Sequence, residues 1–275
     1  MTAHATDGAP PLQEPYGPLA TYVFAVCRAG AATEPPRAAG LSGNPLRLLP
    51  LGAELAAVVQ SVPASEYAEE AWKRLLGEPA SLERCARAHH EAVTATAACA
   101  TAVPLPLATQ YEDDLRAREA LTEQTSRFDE ALRRVEGREE WGVKVYVAAG
   151  REAPQDPPAA VPSAPPSPAP GAGLAYLNRR RAEHDGWERR REESVRQAER
   201  VDTALRTLAV AARRLRPHES EVKGERRQVL NASYLVDGTD TALLHRTVEG
   251  LRRRTGAEIE LTGPWVPYSF AGADA

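Results

Sequence analysis

Cys85, His89 and His90 are the residues of this chain that come nearest to metal-ligand spacing, because a cysteine and a histidine four positions apart share one face of a helix. No further ligand cluster accompanies them in the sequence, so the pair falls short of a metal centre. Glu112-Asp113-Asp114 offers carboxylates for cation binding or acid–base work, yet acidic residues at a helix start are explained by the helix dipole alone. Arg179-Arg180-Arg181 and Arg189-Arg190-Arg191 suggest binding to an acidic surface or to nucleic acid. Interleaved Glu183, Glu188, Glu192 and Glu193 supply intrahelical pairs, which favours a solvated, salt-bridged helix face. Asn231-Ala232-Ser233 has the form of a glycosylation acceptor but falls inside an expected strand. A phosphate-binding glycine loop, a Gly-x-Ser-x-Gly elbow and a Cys/His hydrolase signature are all missing from the sequence. The residues therefore lead us to expect no enzyme, no metal and no cofactor.

Binding chemistry has a better candidate at the end of the chain. Ala257-Glu258-Ile259-Glu260-Leu261 alternates as a strand, and Gly263-Pro264-Trp265-Val266-Pro267-Tyr268-Ser269-Phe270 follows it. Two prolines that fix φ and remove donors predict that the strand stops at Gly263 and continues as a stiff extended arm. Such an arm presents Trp265, Tyr268 and Phe270 at low ordering cost, making them the candidate partner-binding residues. The alternative reading is that they cap the protein's own core, and one ring inward with another outward satisfies both.

The elements that must position these groups follow from composition and periodicity. At 275 residues, 43% hydrophobic and 26% charged, the chain has room for one large or two ordinary domains. Residues 1–137 hold 12 Lys and Arg against 18 Asp and Glu, while 138–275 hold 22 against 20, which supports two parts and argues against a nucleic-acid partner. No apolar run reaches bilayer-spanning length and no signal-peptide pattern opens the chain, so a cytoplasmic protein is expected. Cys27, Cys85 and Cys99 form no disulfide framework and are expected to be reduced.

In the first part, residues 1–18 read as a disordered tail and 19–137 as an N-terminal α+β domain. Thr21–Cys27 is a buried strand, and Leu46–Leu51 and Glu54–Gln60 form a hairpin around Gly52-Ala53. Helices follow from Glu66, from a Ser81 cap to about Ala100, and from about Asp113 to Glu136, with an extended crossing over Val103–Thr109. In the second part, Trp141–Val147 opens an α+β domain over 138–272 that a Pro/Ala-rich linker interrupts at 151–173, where eight prolines occur. A long charged helix is expected from Leu174 to Arg216, with Val201, Leu205, Leu208, Ala212 and Leu215 on one stripe and a first half that projects or packs lightly. A strand at Gln228–Val236, a helix at Asp240–Arg254 and the final strand complete it. The order β, long α, β, α, β predicts parallel neighbouring strands with both helices on one face, a modified ferredoxin-like sandwich.

Several segments, in order, resemble the gas vesicle protein L/F family as its actinobacterial members are written. Tyr22–Val26 sits where that family opens its first strand, and Pro104-Leu105-Pro106-Leu107-Ala108-Thr109-Gln110-Tyr111-Glu112-Asp113-Asp114 is similar to its Pro-Leu-x-Leu-Ala-Thr-x-Tyr-x-Asp-Asp. Glu140–Val145, Ala175–Arg181 and Leu230–Val236 resemble further family stretches, and the ending is similar to its Gly-Pro-Trp-Pro-Pro-Tyr-x-Phe, with Val266 in place of a proline. The resemblance implies a two-domain α+β assembly factor of the gas vesicle, binding the small hydrophobic shell protein and other accessory vesicle proteins. A place as a minor vesicle component is a further reading beside that role. No membrane, nucleic acid or small-molecule substrate is expected as a partner. The alternative from another class is a cytoplasmic scaffold that self-associates through the long charged helix, although Arg191 and Ser194 interrupt the apolar heptad this needs.

Overall fold

The computed structural model describes residues 17–30, 34–67, 69–148, 172–216 and 226–272. Most of the expected tail and of the proline-rich linker lies outside these residues. The chain forms two compact units, Met1–Glu136 and Gly137–Ala275.

The first unit is built on β1 (Leu19–Arg28), β2 (Arg47–Pro50), β3 (Leu55–Pro63), β4 (Ala102–Pro104) and β5 (Gln110–Tyr111). The sheet runs β2-β3-β1-β4, with β5 also on β1, and every pairing is antiparallel. β1 is central, and its residues Ala20–Cys27 are buried, which is why it reads as an unbroken apolar run. β2 and β3 form the expected hairpin, closed by Leu51 N–H to Leu55 O at 2.8 Å and with Gly52 at φ +93°. Buried Gln60 pins the preceding loop, its amide nitrogen donating to Ala39 O and Asn44 O while its oxygen accepts from Leu41 N–H.

Helices α1 (Ala64–Tyr67), α2 (Glu69–Leu76), α3 (Pro79–Cys99), α4 (Asp114–Thr122) and α5 (Thr125–Val135) complete the unit. Two expectations are corrected here. Ser81 does not cap α3: Glu78 is the cap residue and Pro79 occupies the first turn, where its missing N–H costs nothing, while the Ser81 hydroxyl donates to Glu78 at 2.6 Å. The helix expected over 113–136 is two helices, broken around Glu123-Gln124. The apolar spacing of Leu121, Phe128 and Leu132 continues across the break, so periodicity could not reveal it.

The second unit contains β6 (Arg138–Ala148), α6 (Ala172–Arg206), β7 (Ala211–Arg214), β8 (Arg226–Asp237), α7 (Thr241–Thr255) and β9 (Glu258–Trp265). Sheet order is β7-β8-β6-β9, and all neighbours are antiparallel, which corrects the expected parallel arrangement. The cause is β7, which lies inside the segment read as helix. α6 ends at Arg206, so of the expected stripe only Val201 and Leu205 are helical core, whereas Ala212 belongs to the strand and Leu215 follows it. Both helices do pack on one face: Ala198, Val201 and Leu205 of α6 and Leu244, Val248 and Leu251 of α7 share a core with Trp141, Val143, Val145, Leu230, Ala232, Tyr234 and Ile259. α6 spans 35 residues, about 52 Å, and among the described residues its contribution to this core lies in its last third.

Candidate interaction surface

Of the polar residues singled out in the sequence, His89, Asp113 and Asp114 are held in structural bonds. His89 is buried between β1 and the crossing segment, with Nδ1 2.9 Å from the Tyr22 hydroxyl and Nε2 3.1 Å from Leu105 O. Ala108 N–H donates to the same Tyr22 oxygen at 3.0 Å. A consistent chain results when Nε2–H donates to Leu105 O and Tyr22 donates to Nδ1, which requires a neutral ring. Burial lowers its pKa to about 4, with His90 adding to the effect and the Leu105 bond opposing it. With both nitrogens engaged, His89 has none to offer a metal beside Cys85.

The acidic triplet divides its work. Asp113 caps α4 by accepting from Arg116 N–H at 2.8 Å, and Asp114 accepts from Thr21 Oγ1 at 2.7 Å and from both terminal nitrogens of Arg47 at 2.7 and 3.0 Å. The Arg47 bonds hold the Asp114 carboxyl below its ordinary range against some desolvation. Asn231 lies in β8, as the strand reading required.

The C-terminal segment differs from expectation in a way that matters. β9 does not stop at Gly263 but runs through a cis Gly263-Pro264 peptide to Trp265, which pairs with Glu140. β9 is an edge strand, where a proline without N–H is tolerated, and its register on β6 shifts between Glu140 and Gly142. Gly263 sits at φ +133°, and a Cβ there would stand 2.9 Å from Glu140 O. The chain then folds back as a 3-10 turn over Tyr268–Phe270 rather than extending as an arm.

Three contacts hold that turn. Ser269 N–H and hydroxyl donate to the two carboxylate oxygens of buried Glu140 at 2.9 and 2.5 Å, and Arg213 donates to Ser269 O at 3.1 Å. Successive strand residues point to opposite faces, and Trp141 and Tyr234 point at the helices, so Glu140 and Ser233 point away from them. The turn thus covers the sheet face opposite α6 and α7. Of the three rings, Phe270 is 1% exposed, while Trp265 is 46% and Tyr268 38% exposed. Phe270 anchors the turn, and the other two present apolar surface beside the edge of β9. Sequence reasoning missed Glu140, Ser269 and Arg213; the only signal was an acidic residue at the head of a strand whose face would otherwise be solvated.

On the helix side, Asp202 is buried and accepts from the Tyr234 hydroxyl at 2.6 Å, from Arg206 at 3.0 Å and from Arg214 at 2.6 and 3.0 Å. Desolvation works to raise its pKa, but these bonds outweigh it and leave the carboxyl below its ordinary value. The cluster ties α6, β7 and β8 together, which makes it structural.

Two antiparallel sheets faced by helices, with buried ionisable groups satisfied internally, define a mixed α/β protein; no described helix is long and apolar enough to cross a membrane. Crystal structures of the gas vesicle protein GvpF from Anabaena sp. PCC7120 and from Microcystis aeruginosa share this fold, with TM-scores of 0.61 and 0.60 at 14% identity. Each likeness covers 92% of this chain, and 96% and 99% of the respective GvpF chains. Gas vesicle protein L of Streptomyces sp. (strain CB03234) is 38% identical over 258 residues, 91% of this chain and 92% of that protein. Residues 20–272 match the model of the gas vesicle synthesis protein GvpL/GvpF family, and the chain belongs to that family.

Proposed function

We propose that this chain is a non-enzymatic assembly factor of the gas vesicle, acting in the cytoplasm and at the vesicle by binding the small hydrophobic shell protein and other accessory vesicle proteins. A strongly apolar subunit aggregates in water unless its surface is held, and a stable folded binder can hold it through an apolar patch or a sheet edge. The observation that carries this reading is the exposure of Trp265 and Tyr268 on a turn fastened to the sheet through Ser269 and Glu140. Rings fixed in this way lose little entropy on docking, and aromatic anchors dominate binding energy at interfaces. Phe270 contributes by seating the turn.

The reading includes two domains, 19–137 and 138–272, the second a ferredoxin-like sandwich. Its support is the order strand, helix, strand, strand, helix, strand, with the last strand beside the first and the first beside the third. Self-association through α6 has less in its favour, since the exposed surface of this helix is carried by pairs such as Arg196 with Glu192 and Glu193. Co-expression of the full chain with the shell protein tests the proposal. Shell protein should move to the soluble fraction and co-purify with the chain; insoluble shell protein in both the presence and absence of the chain would refute it.

A further inference from the structure

We infer that β7 is a strut that makes the order of the aromatic turn conditional on how α6 is seated on the sheet. Adjacent strand residues point to opposite faces, and β7 uses that alternation to grip two different elements. Arg213, opposite Ser233 in the register, reaches over the face away from the helices and donates to Ser269 O at 3.1 Å. Arg214, opposite Ala232, lies on the helix face and donates twice to Asp202 of α6, at 2.6 and 3.0 Å.

The strand that carries both arginines is short. β7 has four residues paired with β8, continued at its ends by Val210 N–H to Leu235 O and Leu215 N–H to Asn231 O. Residues 207–210 alone separate it from the end of α6. A shift of that helix end therefore reaches β7 along the chain as well as through Arg214.

On the other face the turn lies across the whole sheet. Trp265 belongs to β9, and Ser269 donates to Glu140 of β6, stands 3.5 Å from the Ser233 hydroxyl of β8 and accepts from Arg213 of β7. Arg213 and Arg214 thus join the turn to the buried Asp202 centre through two neighbouring residues of one strand. Loosening α6 should loosen Ser269, the residue beside exposed Tyr268. The coupling belongs to the free chain, and testing it requires no shell protein.

Amide exchange of the full chain, resolved to single residues, tests it. Ser269 N–H is the reporter because it donates to Glu140 at 2.9 Å, and ladder amides of β6 and β8 report global unfolding in the same sample. Arg214→Gln leaves Asp202 bonded to Tyr234 and Arg206, and should speed exchange at Ser269 by about threefold to tenfold. If Arg214 only stabilised the unit as a whole, the β6 and β8 amides would quicken while Ser269 kept its own rate. Arg213→Gln should speed Ser269 by a similar factor. The double variant should add nothing further, because its second cut falls on a link already broken. An unchanged Ser269 rate in Arg214→Gln, or effects of the two substitutions that multiply in the double variant, would overturn the inference. Should Arg214→Gln fail to fold, Arg214→Lys keeps a cation at Asp202 without the paired N–H groups, and the same two outcomes decide.

Discussion

The two units place their aromatic rings and buried polar groups differently. In the first, Tyr22, Phe24, Tyr67, Trp72 and Phe128 are all buried, and the polar centre under them is a neutral imidazole bridging β1 to the crossing segment. In the second, Trp141, Tyr146, Tyr234 and Phe270 are buried, but Trp265 and Tyr268 stand at the surface, and the buried centre is an ionised carboxylate held by two arginines and a tyrosine. Among the described residues the first unit thus buries its rings apart from half-buried Tyr111, and its exposed apolar side chains are aliphatic, Leu19 and Leu115. The second exposes two aromatic rings, and its buried charge ties together the sheet that carries them. The two centres also differ in the pH at which each gives way.

The sharpest way to break the comparison is to remove the charge. Asp202→Ala leaves the Tyr234 hydroxyl without its buried acceptor and removes the carboxylate shared by Arg206 and Arg214, so the second unit should lose about 3–5 kcal/mol. Hydrogen exchange resolved by peptide should show that loss in β8 and α6 with β1 and β3 unchanged; equal losses in both units would merge what we separate.

Acid should divide the units in the opposite sense. The folded pKa of His89, about 4, lies below the ordinary 6.5, so the unfolded chain takes up the proton first. The stability contributed is complete above about 6.5 and falls as pH drops through about 4, a loss on the order of 3 kcal/mol to the first unit. Asp202 is held below its ordinary carboxylate value, so its contribution persists until pH falls beneath that range. Exchange protection should fail in β1 at milder acid than in β8, and His89→Gln should remove much of the pH dependence while costing about 2 kcal/mol at neutral pH. A smaller effect tests the seat of the aromatic turn. Gly263→Ala puts a Cβ against Glu140 O in a backbone region that side chains rarely adopt, and should cost about 1–3 kcal/mol, read as faster exchange confined to β9 and the residues after it.

Much of the architecture was legible because burial writes itself as pattern. β1 reads as an apolar run since both of its faces are buried, and the β2–β3 hairpin is marked by Gly52 between two apolar segments. β7 was illegible for a physical reason. It is four residues long, half arginine, and its apolar neighbours happen to continue the helical spacing of α6. The direction of every neighbour in that sheet followed from this single strand. The candidate surface was half legible: Trp265, Tyr268 and Phe270 stood out by type, but their division into exposed and buried depends on Glu140, more than a hundred residues away, accepting from Ser269. The rule that proline ends a strand failed because β9 lies at an edge, a fact of topology rather than of local sequence.

The most direct measurement is the affinity of the shell protein for the full chain and for a Trp265→Ala, Tyr268→Ala variant whose fold is verified by exchange protection across β6 and β8. If the exposed rings are the anchors, affinity falls by about 2–4 kcal/mol, thirtyfold or more, with protection unchanged. An unchanged affinity in a folded variant would contradict the account.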